Sequence, residues 1–338
     1  MGLTNDIPAN ILRAMYAMML RIRRMEEKIA ELYSEQEMRC PTHLYIGQEA
    51  IAVGVCANLR REDYVFGTYR GHGHYLAKGG DMKKLVAELY GKATGCAKGK
   101  GGSMHLVAPE VNFMGCSALV GGGMPMAAGA ALAALMRHTN QIAVSFIGDG
   151  AVEEGVFHET LNFASLRKLP VVFVCENNFY AVHAHQSARQ PGDNIYKRAA
   201  GYLVPGMRVD GNDVVEVYRA AREAVQRART CEGPTLIECR TYRWLEHVGP
   251  YFDWDLGYRT REELEEWIVK CPLKRFENLL RESNMLSDAE QSALIAGIDR
   301  EIAEAFRFAK NSPFPDPDEL ELDVYAPDTV SLSNEVQL

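Results

Sequence analysis

The stretch QIAVSFIGDGAVEEGVFHETLNFASLRKLPVVFVCENN, residues 141–178, decides the fold. It contains two short apolar runs, 141–147 and 171–175, which predict strands because each is bounded by turn-forming residues. Between them, residues 153–166 carry apolar side chains at helical spacing and predict a helix. Two strands that are apolar on both faces and joined by a helix form a parallel pair, so the stretch predicts an α/β fold.

The same alternation continues toward the C-terminus, where residues 213–228 predict a helix and residues 235–240 predict a strand. Together these elements predict a doubly wound parallel sheet with helical additions at both ends of the chain. Residues 91–123 are rich in glycine and lack periodic apolar residues, so we expect a long functional loop there. The remaining predicted helices lie at 8–37, 48–59, 81–90, after Pro125, and at 260–270, 273–281 and 287–309.

Polar side chains follow both strands of the opening stretch. Asp149 comes directly after the first strand, and Asn177 and Asn178 end the second. Because the carboxyl ends of parallel strands meet at one edge of the sheet, these oxygens are expected to lie together where such sheets bind ligands. Carboxylate, amide and carbonyl oxygens suit Mg²⁺, and Gly150 and Ala151 at a helix N-terminus would offer N–H groups to a phosphate. A Gly-Asp-Gly alone is a common turn, so the spacing to the asparagines carries the prediction.

Four motifs together resemble the α subunit of thiamine-diphosphate-dependent 2-oxo acid dehydrogenases of the pyruvate and acetoin type. The motifs are GDG with NN, YRGHG at 69–73, GCAKGKGGSMH at 95–105, and TYRW with YRTREE between 241 and 263. The resemblance runs from about residue 15 to about residue 280 and implies the thiamine diphosphate-binding fold.

The resemblance also assigns roles to individual residues. The metal ligands it implies are Asp149, Asn178 and the carbonyl oxygen of Tyr180. The cofactor-binding residues it implies are Tyr69, Arg70, Ala118, Leu119, Val120, Gly148, Gly150, Ala151, Asn178 and His247. The histidines to which it gives catalytic roles are His43, His72 and His247.

The resemblance further implies the reaction and the assembly. Thiamine diphosphate and Mg²⁺ are the expected cofactors. The expected reaction is oxidative decarboxylation of a 2-oxo acid, with pyruvate as the first expected substrate and transfer of the acyl group to a lipoyl-bearing acyltransferase. The carboxylate that activates the cofactor belongs to a second domain of similar fold, and too few residues remain here to form one. A separate β subunit is therefore expected to complete the site in an assembly of two α and two β chains, and the α chain alone should be inactive.

The organisation that follows is one diphosphate-binding domain over residues 1–338. Its core spans about 40–257, preceded by the helix 8–37 and followed by the helical region 260–311. The Pro- and Asp-rich tail 312–338 is expected to dock on a neighbour or hang free.

Other functions remain open at this stage. They are an acetoin dehydrogenase subunit, a biosynthetic acyl-transfer role, a noncatalytic paralogue, and a magnesium phosphohydrolase with Asp149 as nucleophile. Arg70 could instead form a surface ion pair, and His247 could be a solvated loop residue. A nicotinamide dehydrogenase is disfavoured because no G-x-G-x-x-G opens a helix after a strand.

Two His-x-His pairs and two positions that lack serine bear on metal binding and regulation. The pairs His72 with His74 and His183 with His185 lack the remaining ligands of a transition-metal site. Val248 and Gly257 stand where animal relatives carry regulatory serines, so phosphorylation there is excluded. His183 could reach toward the substrate or the partner chain.

Composition bounds the remaining classes. The 338 residues are 47% hydrophobic and 24% charged with a net charge of −8, which indicates a globular protein with no basic face for nucleic acid or membrane. Eight cysteines without a C-x-x-C favour a reducing cytoplasm. The N-terminus lacks the serine richness of a transit peptide and is interpreted as mature protein, and no apolar run reaches membrane-spanning length.

Overall fold

The computed structural model describes residues 6–38 and 40–322 of the protein. Its centre is a sheet of six parallel strands in the order β2-β1-β3-β4-β8-β7. The strands are β1 (Tyr64–Thr68), β2 (Phe113–Ser117), β3 (Ala143–Gly148), β4 (Val171–Asn177), β7 (Gly206–Asp210) and β8 (Thr235–Arg240), with a separate antiparallel pair β5 (Tyr180–Ala181) and β6 (Ala184–His185).

Helices cover both faces of this sheet. The α-helices of the described residues are α1 (Ala9–Leu32), α2 (Glu49–Cys56), α3 (His72–Ala77), α4 (Met82–Leu89), α5 (Gly123–Met136), α6 (Gly155–Leu166), α7 (Gln186–Arg189), α8 (Ile195–Arg198), α9 (Val214–Arg229), α10 (Arg261–Val269), α11 (Pro272–Glu282) and α12 (Asp288–Asn311). None of the described helices is long and apolar enough to cross a membrane.

Alternate residues of the central strands face two separate apolar cores. In β3, Val144 and Phe146 pack with residues of α1, α2, α4 and α9, whereas Ala143 and Ile147 pack with α5 and α6. Because successive side chains of a strand point to opposite faces, a strand buried on both sides is apolar at nearly every position. This arrangement confirms the predicted α/β fold with a doubly wound parallel sheet.

Three strands of the central sheet were not expected from the sequence, namely β1, β2 and β7. The prediction that residues 91–123 contain no regular structure is wrong, because β2 and two short 3₁₀ helices lie within them. β2 is an edge strand with only two buried side chains, and Gly115 within it has φ of 139°. A short, half-buried strand interrupted by glycine has no apolar run to reveal it.

The helix predicted at 153–166 begins later than expected. Residues Asp149–Glu153 form a 3₁₀ helix, Glu154 is extended, and α6 starts only at Gly155. Gly150 and Ala151 therefore lie in a single 3₁₀ turn, and their placement at the N-terminus of the long helix is wrong.

The two ends of the chain pack on the core. α1 carries buried methionines along one side, and α12 packs against both α1 and α4. Beyond α12, the Pro313 carbonyl accepts the N–H of Ala93 at 3.0 Å, so the first part of the tail lies on the Gly-rich segment. The rest of the predicted tail, residues 323–338, lies outside the described residues.

Candidate functional site

Asp149 lies where the sequence places it, at the carboxyl end of β3. Its side chain is 1% exposed, and burial raises the pKa of its carboxyl group although Arg189 acts in the opposite direction. Arg189 Nη2 donates to Asp149 Oδ2, and Gln190 Nε2 donates to the Asp149 carbonyl oxygen at 2.9 Å. A desolvated carboxylate requires a positive partner, and this one lies at the ligand-binding edge of the sheet.

A cavity of about 230 Å³ opens at this edge, over the ends of β1, β3 and β4. It brings together most of the residues predicted to bind cofactor or metal. Those that line it are Tyr69, Leu119, Val120, Gly148, Asp149, Gly150, Ala151, Asn178 and Tyr180. The predicted residue Ala118 is exposed beside Leu119 and is not among the lining residues.

Asn178 presents its amide oxygen toward the chain that follows it. Its Oδ1 accepts the N–H of Tyr180 at 3.2 Å, and its Nδ2 donates to Gln48 Oε1 at 3.0 Å. The first bond fixes which side of the amide carries the oxygen, because a backbone N–H can only donate. A buried carboxylate and an amide oxygen on one cavity, with the Tyr180 backbone beside them, are a donor set that fits a hard divalent cation.

Arg70 is a buried cation without an acidic partner. Its side chain is 4% exposed, and its guanidinium donates to the carbonyl oxygens of Leu44 at 2.7 Å and His247 at 3.2 Å. Among residues 6–38 and 40–322 no carboxylate lies within ion-pair distance of it, which rules out the surface ion pair. Burial, reinforced by Arg243, lowers the pKa of Arg70 to about 10. A buried, uncompensated guanidinium fits an anionic ligand such as a diphosphate.

Three rings cluster next to Arg70. The His43 ring lies 4.7 Å from that of Tyr69 and 5.0 Å from that of His247, and the last two are 5.5 Å apart. Burial and the nearby Arg70 lower the pKa of His247 to about 3 and hold the pKa of His43 far below its usual range. Both imidazoles are therefore neutral near neutral pH, and His247 lies half-buried in the loop after β8.

The buried Nδ1 atom of His43 has no hydrogen-bond partner in the described part of the chain. Such an atom in a buried position costs free energy unless a ligand pairs with it. His43 therefore meets the requirement for a residue that contacts a bound molecule.

His72 is not brought to the cavity. It is fully buried, with Nδ1 2.5 Å from Glu26 Oε1 and Nε2 2.8 Å from Ser103 Oγ. Since both ring nitrogens are engaged, His72 has no atom free for a substrate.

The other histidines of the two His-x-His pairs also have protein partners. His74 stacks on Phe146 and hydrogen-bonds Glu176 at 3.0 Å, while His183 stacks on Tyr258 with ring centroids 4.5 Å apart. His185 Nδ1 lies 2.8 Å from Ser187 Oγ. No group of three or more His, Cys, Asp or Glu side chains suited to a metal occurs among the described residues.

Sequence reasoning missed the residues that surround Asp149 on the side of α7. Arg189 also donates to Glu153, and Gln190 Nε2 donates to Glu153 Oε1 at 2.8 Å. The segment around Arg189 has neither a motif nor a regular period, so only the fold brings it to Asp149.

A parallel sheet with a buried carboxylate, an amide oxygen and an unpaired arginine at its carboxyl edge is an α/β arrangement suited to an anionic ligand with a cation. Residues 17–318 match the family model described as "Dehydrogenase E1 component", and the chain belongs to this family.

Relatives that are named for their function match nearly the whole chain. It is 45% identical over 316 residues to the α subunit of acetoin:2,6-dichlorophenolindophenol oxidoreductase of Bacillus subtilis, with 92% of each chain covered. It is 38% identical over 320 residues to the subunit of the same name in Cupriavidus necator, covering 93% of this chain and 94% of the relative. Human mitochondrial pyruvate dehydrogenase E1 component subunit alpha, somatic form, is 38% identical over 314 residues, covering 93% and 79%.

Membership of this family fixes the class of chemistry. E1 components are thiamine-dependent oxidoreductases, so the family implies thiamine diphosphate as cofactor, and its α subunits imply a β-subunit partner. The phosphohydrolase and nicotinamide dehydrogenase alternatives are thereby overturned.

Proposed function

We propose that this chain is the α subunit of an enzyme that oxidatively decarboxylates a 2-oxo acid, pyruvate first, and transfers the acyl group to a lipoyl-bearing acyltransferase. It binds Mg²⁺ together with thiamine diphosphate and works with β subunits in an assembly of two α and two β chains. One observation carries the proposal: Asp149 and Asn178 share a cavity with the Tyr69 side chain, beside the unpaired cation of Arg70.

Different residues at this edge of the sheet bind the metal, the diphosphate and the remainder of the cofactor. Asp149, Asn178 and the Tyr180 carbonyl oxygen hold the metal, because hard cations select oxygen ligands. Arg70 and His247 hold the diphosphate. The backbone N–H groups of Gly148, Gly150 and Ala151 add donors, and Tyr69, Leu119, Val120 and the adjacent Ala118 lie against the remainder of the cofactor.

The chemistry itself comes from the cofactor, which when bound supplies an electron sink for cleavage of the bond beside a 2-oxo group. The protein contributes orientation and proton transfer. Since His43 and His247 are neutral near neutral pH, each can accept a hydrogen bond at one ring nitrogen and donate one at the other to a substrate that enters between them.

The rim of the cavity supports a site shared with another chain. Leu119 is 76% exposed and Val120 is 47% exposed, although both line the cavity. Apolar side chains in such a position are expected to be covered by the cofactor and by the β subunit.

The cytoplasmic location of the protein stays a prediction.

Acetoin is the second candidate substrate, because the relative from Bacillus subtilis with 45% identity is named for acetoin oxidation. The loop that follows His247 bears on this choice because it lies next to the ring cluster. It is anchored by Asp253, which accepts hydrogen bonds from Arg259 at 2.6 Å and from Tyr258. Its exposed residues Tyr251 and Phe252 therefore project from a fixed base.

The test is an assay of the chain co-expressed with its β partner. Reduction of an artificial acceptor is measured with pyruvate, branched 2-oxo acids and acetoin, each with and without thiamine diphosphate and Mg²⁺. Turnover that requires both cofactors and is fastest with pyruvate supports the proposal. Fastest turnover with acetoin selects the second candidate, and an assembled complex that turns over none of them indicates a noncatalytic paralogue.

A further inference from the structure

A chain of three buried polar side chains lies beneath His43. Glu26 and His72 are fully buried and Ser103 is 1% exposed. The distances are 2.5 Å between Glu26 Oε1 and His72 Nδ1, and 2.8 Å between His72 Nε2 and Ser103 Oγ. Nothing in the proposed reaction uses these groups directly, although burying three polar side chains is costly unless every atom is paired.

Glu26, His72 and Ser103 form a closed ring of hydrogen bonds with the backbone of residues 43–45. The His43 N–H donates to Ser103 Oγ at 3.4 Å, and the Tyr45 N–H donates to Glu26 Oε2 at 2.7 Å. Between them, the carbonyl oxygen of Leu44 accepts a hydrogen bond from Arg70 at 2.7 Å. Three consecutive residues are thus held at three backbone atoms.

The hydrogen bonds of the ring assign its protons. A carboxylate on Glu26 can only accept, so His72 carries its proton on Nδ1 and presents a lone pair at Nε2. The Ser103 hydroxyl then donates to His72 Nε2, and its oxygen accepts the His43 N–H.

Ser103 is in turn fixed by the Gly-rich segment that precedes it. The fully buried carboxylate of Glu88 accepts the N–H groups of Ala97, Gly99, Gly101 and Gly102 at 2.7–3.0 Å. The N–H cradle of the KGKGG sequence is therefore filled by a side chain of the protein itself. Because these hydrogen bonds hold the segment that directly precedes Ser103, they also fix the position of Ser103.

We propose that Glu26, His72 and Ser103 are positioning residues that set the place of His43 against Tyr69 and His247. This inference rests on the proposed function, because it assumes that His43 contacts substrate or cofactor. It gives His72 a role that a fully buried imidazole can perform, in place of the direct catalytic role expected from the sequence. The unpaired Nδ1 of His43 is the atom whose position the ring controls.

A double-mutant cycle tests the proposal in the complex of α and β chains. Ser103→Ala removes the acceptor of the His43 N–H, so kcat/KM is expected to fall roughly tenfold to a hundredfold, as for other small misplacements of a reacting group. In the His43→Gln background the same substitution is expected to cost less than about twofold, because the positioned ring is already gone. Ser145→Ala is the matched control, since Ser145 is a fully buried serine whose hydroxyl has no partner in the described chain.

A second measurement does not depend on turnover. Diethyl pyrocarbonate labelling, read by peptide mass spectrometry, compares the rate at His43 with that at the exposed His138. Ser103→Ala is expected to raise the relative labelling of His43 severalfold and Ser145→Ala to leave it unchanged. If Ser103→Ala fails to fold, His72→Gln opens the same ring and replaces it.

The outcomes separate the two proposals. Equal losses of kcat/KM from Ser103→Ala in both backgrounds, or unchanged labelling of His43, overturn the positioning role. If the wild-type complex turns over no 2-oxo acid but Ser103→Ala still exposes His43, the positioning of His43 stands and the proposed reaction fails.

Discussion

Asp149 and Arg189 form an ion pair at the edge of the sheet where we propose that the metal binds. The carboxylate is nearly inaccessible to water, and Arg189 also pairs with Glu153. The position of Asp149 followed from the sequence, because a residue after a buried parallel strand must lie at the carboxyl edge of the sheet. Arg189 could not be predicted, since its contact with Asp149 depends on how α7 folds back over that edge.

Asp149→Asn tests the metal site. The amide retains the shape but lacks the charge that attracts a divalent cation, so the affinity for Mg²⁺ with thiamine diphosphate is expected to fall more than about a hundredfold, beyond the loss seen for outer-shell changes. Calorimetric titration of the complex measures it. Asp213→Asn is the control because Asp213 caps α9 through the N–H groups of Val215 and Glu216. Normal cofactor affinity in Asp149→Asn would rule out the assignment.

His43 provides a prediction on pH dependence. Its pKa is lowered by burial, first of all, in the folded state, whereas the unfolded chain protonates it near 6.5. The unfolded state therefore binds more protons below about pH 6.5. As the pH is lowered below that value, this residue decreases the free energy of unfolding by up to about 1.4 kcal/mol per pH unit. His43→Gln should remove that part of the slope in urea unfolding at a series of pH values from neutral to acidic. An unchanged slope would contradict a neutral, buried His43.

At the scale of elements, the central strands could be predicted and the outer ones could not. β3, β4 and β8 are almost wholly buried and consist mainly of apolar residues. β1 contains Gly67, where an added Cβ would lie 3.0 Å from Cys116 Sγ of β2, so close strand packing excludes the apolar side chain that would have marked it. β7 lies at the other edge of the sheet and has one buried residue.

The Gly-rich segment before β2 depends on α4 through Glu88. Glu88→Ala leaves four N–H groups without their carboxylate, and we expect the free energy of unfolding to fall by about 3 kcal/mol, as for the loss of charged hydrogen bonds. Urea unfolding measures the loss, and hydrogen exchange should quicken at residues 97–102. Glu110→Ala is the matched control, because Glu110 is exposed and pairs with Lys84 at the surface. Its expected effect is within about 0.5 kcal/mol. Equal losses in both variants would refute the anchoring role.

For the whole molecule, the site is an assembly of parts that are distant in the sequence. Residues near positions 43, 70, 149, 178 and 247 meet because the segment before α2 and the segments that follow β1, β3, β4 and β8 converge on one edge of the sheet. Motif resemblance could predict most of the cavity, but the burial of His72 and the exposure of Ala118 depend on packing that no motif encodes. That the chain folds as one domain stays a prediction.

Thiamine diphosphate titration of the complex of α and β chains tests the central claim most directly. With Mg²⁺ present, the wild-type complex is expected to bind the cofactor with saturable affinity and to turn over a 2-oxo acid, whereas Arg70→Gln should bind it at least about tenfold more weakly because the buried cation is lost. Unchanged affinity in Arg70→Gln, or binding that is independent of Mg²⁺, would contradict the account.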